Sequence, residues 1–341
     1  MTENTYFKPK LIIGNQEVSL GMSGSVTFPG NNQTNSLKCN ISDPSFQNTK
    51  LFNKEVKFYL NYGSDDGVPI FRGFIKDVSP NEKNTSINAI DGRCFINSNS
   101  SKMVELTEEE NYDGYNLAAF LYDYITDNIN TNKTYIGLNM LKDTNPSVSL
   151  SETRVTPTPI YSVVTKKLKE AIDASDVENP LTYFIDMIDN GTQSNITFVK
   201  EKSLTDAASL ILSYADGISS YKYNRRAPAN FGIAGGASFT YGNAPQGSIG
   251  MTLAGEFKDK NEARQELIKG LLLQHRETDE IDLQCTRGHY IALGSIVKVI
   301  LDKEDIGGNH RVTSKSINFS SGGVKLTLKL NRKPLLLSEY I

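Results

Sequence analysis

Three histidines (His275, His289, His310) and three cysteines (Cys39, Cys94, Cys285) are all the chain offers for soft-metal or thiol chemistry. His275, Cys285 and His289 stand close enough in sequence to invite a zinc site. Structural zinc takes four nitrogen or sulfur ligands, commonly in paired short spacings. Only His310 remains as a fourth, on another strand, so these side chains read as ordinary strand and helix-end residues. The Gly-x-Gly pattern of Gly232 to Gly236 lacks a preceding buried strand and a following helix, so it does not read as a nucleotide loop. Asp65-Asp66 and the carboxylates from Asp302 to Asp305 lack the spaced oxygen ligands and closing Glu of a calcium loop. No G-x-S-x-G, H-E-x-x-H or Walker sequence is present. No catalytic, cofactor-binding or metal residue is therefore assigned, no cofactor is expected, and the chain reads as a non-enzyme. Two carboxylates can still meet in space, so an acid pair for sugar cleavage stays open, with nothing to select the pair. The acidic run from Glu105 to Glu110 reads as a solvated edge.

The elements that would carry these residues are mostly strands. From Glu280 to Leu330, apolar residues alternate at Ile281, Leu283 and Cys285, at Val297 and Val299, and at Val324, Leu326, Leu328 and Leu330. Period-two alternation gives each strand one buried and one solvated face. Gly307-Gly308-Asn309 and Ser321-Gly322-Gly323 break the runs and read as hairpin turns. Four short strands predict an antiparallel sheet or small barrel. Residues 6–92 repeat the plan. Phe7 to Ile13 is a strand; Leu37, Cys39 and Ile41 alternate, as do Val56, Phe58, Leu60 and Tyr62. Asp66-Gly67 and Pro80-Asn81 punctuate further strands from Val68 to Val78 and from Thr85 to Ile90.

The middle changes period. Leu117, Phe120, Leu121, Tyr124 and Ile125 recur at helical spacing. Pro159 opens a second helix with Ile160, Val163, Val164, Leu168, Ala171 and Ile172 on one stripe, because the first helical amide has no intrahelical partner to lose. Asn179-Pro180 reads as the start of a third, carrying Tyr183, Phe184, Met187 and Ile188 and ending at Gly191. Ser203 and Asp206 resemble a cap before a fourth with Ala207, Leu210, Ile211 and Tyr214, closed by Gly217. Ile196 to Lys200 reads as a strand, and so does Ser219 to Asn224. Phe231 to Gly250, rich in Gly, Ala, Ser and Asn, reads as a long loop or flexible hairpin. Asp259 and Glu262 form a capping pair for a helix to His275, with Ala263, Leu267, Ile268, Leu271 and Leu272 inward.

The expected fold class is α+β, mainly β: two tube-type antiparallel β-barrel domains flanking a mixed α+β insertion. The boundaries are 1–94 for the first barrel, 95–217 for the insertion and 218–341 for the second barrel. The helix at about 259–275 is expected to pack on the outside of the second barrel. The 341 residues are enough to bury a core without disulfides. Scattered, odd-numbered cysteines read as reduced thiols, consistent with assembly in a host cytoplasm. The first ten residues do not read as a signal peptide, and no apolar run approaches the roughly 20 residues of a membrane helix. Net charge is −3, which leaves no basic footprint for tight nucleic-acid binding.

Three stretches carry a resemblance. Residues 35–43 read NSLKCNISD, followed by Leu51-Phe52 and by Val56 to Phe58. Residues 71–78 read FRGFIKDV. Residues 288–299 read GHYIALGSIVKV, followed by Gly308 and Arg311-Val312. Together they resemble the central hub proteins of contractile phage tail baseplates, the late-control D proteins, and the N-terminal half of type VI secretion spikes. The resemblance covers about half the chain. It implies a virion protein and a homotrimer in which each subunit supplies two barrels, so that three times two gives a pseudo-six-fold ring. Such a ring adapts a six-fold tail tube, or tube-initiator protein, to a three-fold central spike. The insertion would face neighbouring baseplate wedge proteins, and the spike would be a separate chain. The barrel edge strands are the expected trimer contacts, and Phe231 to Gly250 the expected contact with tube or spike. DNA would pass the lumen without tight binding. Two other readings stay open: a tail-associated cell-wall hydrolase, and a glycan- or receptor-binding tail protein using some of the 16 tyrosines.

Overall fold

Alternation of apolar and polar residues builds most of the molecule, as β4 illustrates: in Ser36–Ile41, Leu37, Cys39 and Ile41 are buried while Lys38 and Asn40 face solvent. The computed structural model describes residues 7–18, 21–30, 33–47, 49–61, 67–94, 103–104, 116–126, 138–140, 158–173, 183–189, 191, 194–200, 202, 204–215, 217–225, 229, 231–240, 250–276, 279–301 and 306–331. The N-terminal strands are β1 (Lys8–Ile13), β2 (Gln16–Glu17), β3 (Met22–Phe28), β4, β5 (Glu55–Asn61), β6 (Phe71–Pro80) and β7 (Thr85–Ile90). The middle holds β8 (Met103–Val104), α1 (Leu117–Tyr124), β9 (Leu138–Met140), β10 (Thr158–Pro159), α2 (Ile160–Asp173), β11 (Tyr183–Asp189), β12 (Ser194–Lys200) and β13 (Leu210–Ser213). The remainder is β14 (Ile218–Arg225), β15 (Phe231–Ala234), β16 (Ala237–Thr240), β17 (Gly250–Leu253), α3 (Lys260–Arg276), β18 (Asp279–Cys285), β19 (Ile296–Leu301), β20 (Ile306–Ser320) and β21 (Gly323–Asn331).

The fold is mainly β and mostly antiparallel. Thirteen strands form one sheet in the order β14-β18-β21-β20-β3-β4-β7-β6-β5-β1-β2, and β19 joins β20 and carries β13 on its other side. The N-terminal and C-terminal blocks are therefore hydrogen-bonded to each other, through β3 against β20, with Val26 opposite Ile317 and Gly24 opposite Phe319. Sequence reading missed β3, whose run MSGSVTF is weak in bulky strand formers. The weakness has a structural reason: a Cβ on Gly24 would stand 2.1 Å from the Lys38 carbonyl oxygen and 3.0 Å from the Phe319 ring. One apolar core spans both blocks and the insertion, and includes Val26, Leu37, Phe58, Leu121, Ile196, Leu283, Val299 and Leu328.

The helices at Leu117 and after Pro159 form as expected, and the Asn116 side chain caps the first by accepting from the amides of Ala118 and Ala119. Two expected helices are strands instead. Residues 183–189 form β11, paired antiparallel with β12 from Tyr183 opposite Lys200 to Asp189 opposite Ser194. Residues 210–213 form β13, parallel to β19, with only Leu212 of the four buried. In both cases a short apolar run fits either period, and an available strand edge decided the outcome. Gly307-Gly308-Asn309 is not a turn: these residues lie within β20 opposite Ile300, Val299 and Lys298. Ser321-Gly322 does turn β20 into β21, and Asn81 closes the β6–β7 turn by accepting from the amides of Lys83 and Asn84.

Asp259 caps α3 by accepting from the amides of Asn261 and Glu262, while the Glu262 carboxylate accepts from the Lys258 amide, the reciprocal pairing expected. The helix has its own small core of Ala229, Ala234, Ala263, Leu267 and Leu271 over the sheet β16-β15-β17, rather than lying on the thirteen-stranded sheet. This explains much of the Gly/Ala-rich stretch. A Cβ at Gly232 would come within 2.4 Å of the Leu267 side chain, so the small residues admit the helix. Residues 241–249, Tyr62, Ser203, Asp65-Asp66, the carboxylates 302–305 and the acidic run 105–110 lie outside the described residues. Among the described residues, no helix is long and apolar enough to cross a membrane.

Candidate binding site

Charged residues from strands β6, β11 and β20 and from the turn after β7 converge where the N-terminal block, the insertion and the C-terminal block meet. Arg72, on β6, is buried. Its Nη1 donates to Glu55 Oε1 at 3.0 Å, its Nη2 to the Gly191 carbonyl at 2.7 Å, and its Nε to the Asp189 carboxylate. Asp189 also accepts from the Ser194 hydroxyl at 2.8 Å and the Gly191 amide at 2.7 Å. One guanidinium thus fastens the β11–β12 hairpin to the first sheet. Charge-assisted, multidentate pairing of this kind is the strong class of hydrogen bond.

A second buried cation, Arg93, follows β7. Its Nε donates to Asp91 Oδ2 and its Nη1 to the Ile185 carbonyl, both at 3.2 Å. Burial pushes the Asp91 carboxyl up to about 6, partly offset by the Arg93 charge. Asp186, next to Ile185 on β11, is likewise raised, chiefly by burial, against the attraction of Arg93 and Lys315. Lys315 lies on the inward face of β20 with Ile317 and Phe319. Its Nζ donates to the carbonyls of His289 (3.1 Å) and Ile291 (2.9 Å) and sits 4.4 Å from the Phe28 ring centroid. Burial lowers the Lys315 pKa to about 8, opposed by Asp186.

Arg72, Asp91, Asp186, Asp189 and Lys315 line a depression of about 230 Å³, and Arg93 stands behind Asp91. Val68, Ile188 and Tyr290 stand at its rim, 49%, 45% and 55% exposed. The Tyr290 hydroxyl donates to the Leu60 carbonyl, which holds the exposed ring in place. His289 and Asn35 line the depression and are buried; neither ring nitrogen of His289, nor Asn35 Oδ1, has a hydrogen-bond partner among the described residues. Burial and the Lys315 charge hold the His289 pKa down to about 4, so the ring is neutral at pH 7, packed 4.0 Å from Phe7 between centroids.

The described residues of the zinc question, Cys285, His289 and His310, do not form a metal-binding group. Cys285 is buried on β18, its thiol directed at the Arg287 carbonyl and raised to about 12 by burial. His310 lies on β20 with Nδ1 3.1 Å from the Gly308 carbonyl, and His289 floors the depression. The His275 side chain lies outside the described ones. Among the described residues, no group of three His, Cys, Asp or Glu is placed to hold a metal. Sequence reading assigned no role to Arg72, Arg93, Asp186 or Lys315. Only Lys315 carried a usable signal, a cation in phase with two buried apolar residues of one strand.

No protein-family model and no curated protein matches the sequence. Solved structures do match its fold. The tail protein from Neisseria meningitidis MC58 superposes with a TM-score of 0.65 at 14% identity, over 96% of each chain. The 43 kDa tail protein of prophage MuSo2 from Shewanella oneidensis gives 0.65 at 10% identity, over 95% of this chain and 98% of its own. The E. coli c3393 protein, a type VI secretion system component with structural similarity to T4 bacteriophage tail proteins gp27 and gp5, gives 0.51 at 10% identity, over 95% of this chain and 78% of its own. The resemblance read from the sequence holds at the level of fold: the chain is built like phage tail proteins and like a type VI secretion component.

Proposed function

We propose that the chain is the central hub of a contractile tail baseplate, a virion protein with no enzymatic role. The observation that carries the proposal is end-to-end likeness in fold to tail proteins, together with two strand blocks that flank the middle segment in sequence and join in one sheet. In this reading residues 1–94 and 218–341 each supply a tube-type barrel, and residues 95–217 an outward insertion. Three copies form a ring that meets the six-fold tail tube or its initiator on one side and the three-fold spike on the other. Neighbouring wedge proteins dock on the insertion. Assembly takes place in the host cytoplasm.

The strands that end the sheet are the trimer contacts in this reading. β13 carries Ile211 at 51% exposure and is followed by Tyr214 at 47%, and among the described residues its one strand partner is β19. An edge with exposed apolar side chains is a template for another chain unless it is covered. Light scattering on the purified chain over a range of concentrations tests this. A stable mass near three times 37.7 kDa supports the ring, and imaging should then resolve two barrels per subunit. A monomer at all concentrations, which stays monomeric with spike and tube proteins added, overturns it.

A further inference from the structure

We propose that the open edge of β13 is a docking site for residues 334–341 of a second copy of the chain, laid along it as an added strand. This rests on the self-association proposed above and names the segment that supplies it.

Three observations carry the inference. The first is the edge itself. Among the described residues the thirteen-stranded sheet ends at β14, β2 and β13. Exposed edges are normally guarded by charge, proline or brevity, because their backbone is a template for another strand. β14 carries the exposed Lys222, and β2 is two residues long and holds Glu17. β13 reads Leu-Ile-Leu-Ser and has neither charge nor proline. Ile211 and Tyr214 are exposed, while Leu212 between them is buried. The Tyr214 ring meets that of Tyr221 edge-on, 6.3 Å between centroids, so the apolar strip continues from β13 onto β14.

The second is the segment that follows β21. Residues 332–341 read RKPLLLSEYI. Pro334 has no amide with which to continue the ladder of β21, so the leucines after it are not tied to that register. Leu335, Leu336 and Leu337 gain by leaving water, as apolar side chains elsewhere in the sheet do. Residues two apart in a strand share a face. On the β13 edge, Leu335 and Leu337 would stand beside Ile211, and Leu336 beside Leu212. Main-chain hydrogen bonds then supply affinity and the alternate side chains supply selectivity.

The third is reach. Asn331 ends β21 opposite Arg311, Arg311 lies opposite Ile296, and the next residue of β19, Val297, lies opposite Leu210. The end of β21 and the start of β13 are therefore at the same end of the sheet. Measured along the sheet they are three strand spacings apart, about 14 Å, and the open edge is one spacing further, about 19 Å. The four steps from Asn331 to Leu335 span at most about 14 Å. Leu335 thus falls short of the β13 edge of its own chain, a limit that does not apply to the edge of an adjoining copy. A second copy seated here also continues the contact that Ile211 and Tyr214 mark.

The experiment uses three full-length chains: the natural one, Ile211→Glu, and a tail variant that combines Leu335→Ser, Leu336→Ser and Leu337→Ser. The probe is a fluorescent synthetic peptide of residues 332–341. Circular dichroism should be the same for all three chains. The natural chain should self-associate in light scattering, and each variant should lose at least tenfold in association constant. Mixing the two variants restores one intact pair of edge and segment, and should give a mass near twice 37.7 kDa. The peptide should bind the tail variant once per chain. It should bind at least tenfold more weakly when Ile211→Glu is added to that chain, or when its own three leucines are replaced by serine. Absence of peptide binding overturns the inference, and a natural chain that still forms trimers would then leave the hub reading standing. An unchanged mass for both variants overturns it as well. So does a monomeric natural chain that excludes the peptide its tail variant binds, because the segment then covers its own edge.

Discussion

Replacing Gly24 with alanine should break the joint between the two strand blocks. β3 is their hydrogen-bonded link, and Gly24 sits opposite Phe319 on β20 and Cys39 on β4. An added Cβ would stand 2.1 Å from the Lys38 carbonyl oxygen, 2.9 Å from Cys39 Cα and 3.0 Å from the Phe319 ring. Ordinary contact begins near 3.4 Å, so β3 and β4 must part by more than 1 Å at this point. Two of the three obstacles are backbone atoms, which cannot swing aside as a side chain can. Overpacking of this kind costs about 1–3 kcal/mol. Loss of two ladder hydrogen bonds, each worth about 1 kcal/mol net, adds about 2 kcal/mol. The expected destabilisation is about 3–5 kcal/mol. It is read from guanidinium unfolding followed by circular dichroism, with hydrogen exchange locating the loosened amides in β3 and β20. Gly322→Ala is the control: its nearest obstacle is the Ser320 hydroxyl at 3.6 Å, and it should stay within about 0.5 kcal/mol of the natural chain. If Gly24→Ala unfolds at the same denaturant concentration as the control, the close-approach argument fails.

Arg93→Met should destabilise by about 3–5 kcal/mol, since it strands the buried Asp91 carboxylate and removes a donor from the Ile185 carbonyl; a melting temperature unchanged from the natural chain would refute this. The pH response should have two opposing parts. His289, held at about 4 against an ordinary 6.5, binds its proton in the unfolded chain first, so stability is lost as pH falls from 6.5 to 4. Asp91, raised from 3.8 to about 6, binds its proton in the folded chain first, so its contribution is full below 3.8 and is lost as pH rises through about 6. His289→Gln removes the first part, so its melting temperature should gain on that of the natural chain across this acid range; a constant difference would show that the ring does not titrate there. Finally, in the trimer proposed above, Ile211→Glu should leave circular dichroism unchanged and lower the mass measured by light scattering relative to the natural chain, and an unchanged mass would remove β13 from the proposed interface.

The sequence by itself determined what local pattern controls. Alternation in Leu37-Cys39-Ile41 and Val324 to Leu330 specified strands, and the Asp259/Glu262 pair specified the start of α3, because side-chain period and caps act over a few residues. The mainly β class was legible for the same reason, while the resemblance to tail hubs rested on the stretches 35–43, 71–78 and 288–299. Tertiary structure decided the rest. Residues 183–189 and 210–213 had enough apolar content for helices, and became strands because β12 and β19 offered edges distant in sequence. Gly307-Gly308 had the composition of a turn and became strand interior because β19 runs beside it. β3 looked featureless because its glycine is the mark of two backbones in close approach, visible only once both are placed. The charged depression was the least legible feature. Arg72, Asp91, Asp186 and Lys315 come from four separate segments, and no local rule relates residues that meet only when a hairpin of the insertion closes over the seam between the two blocks.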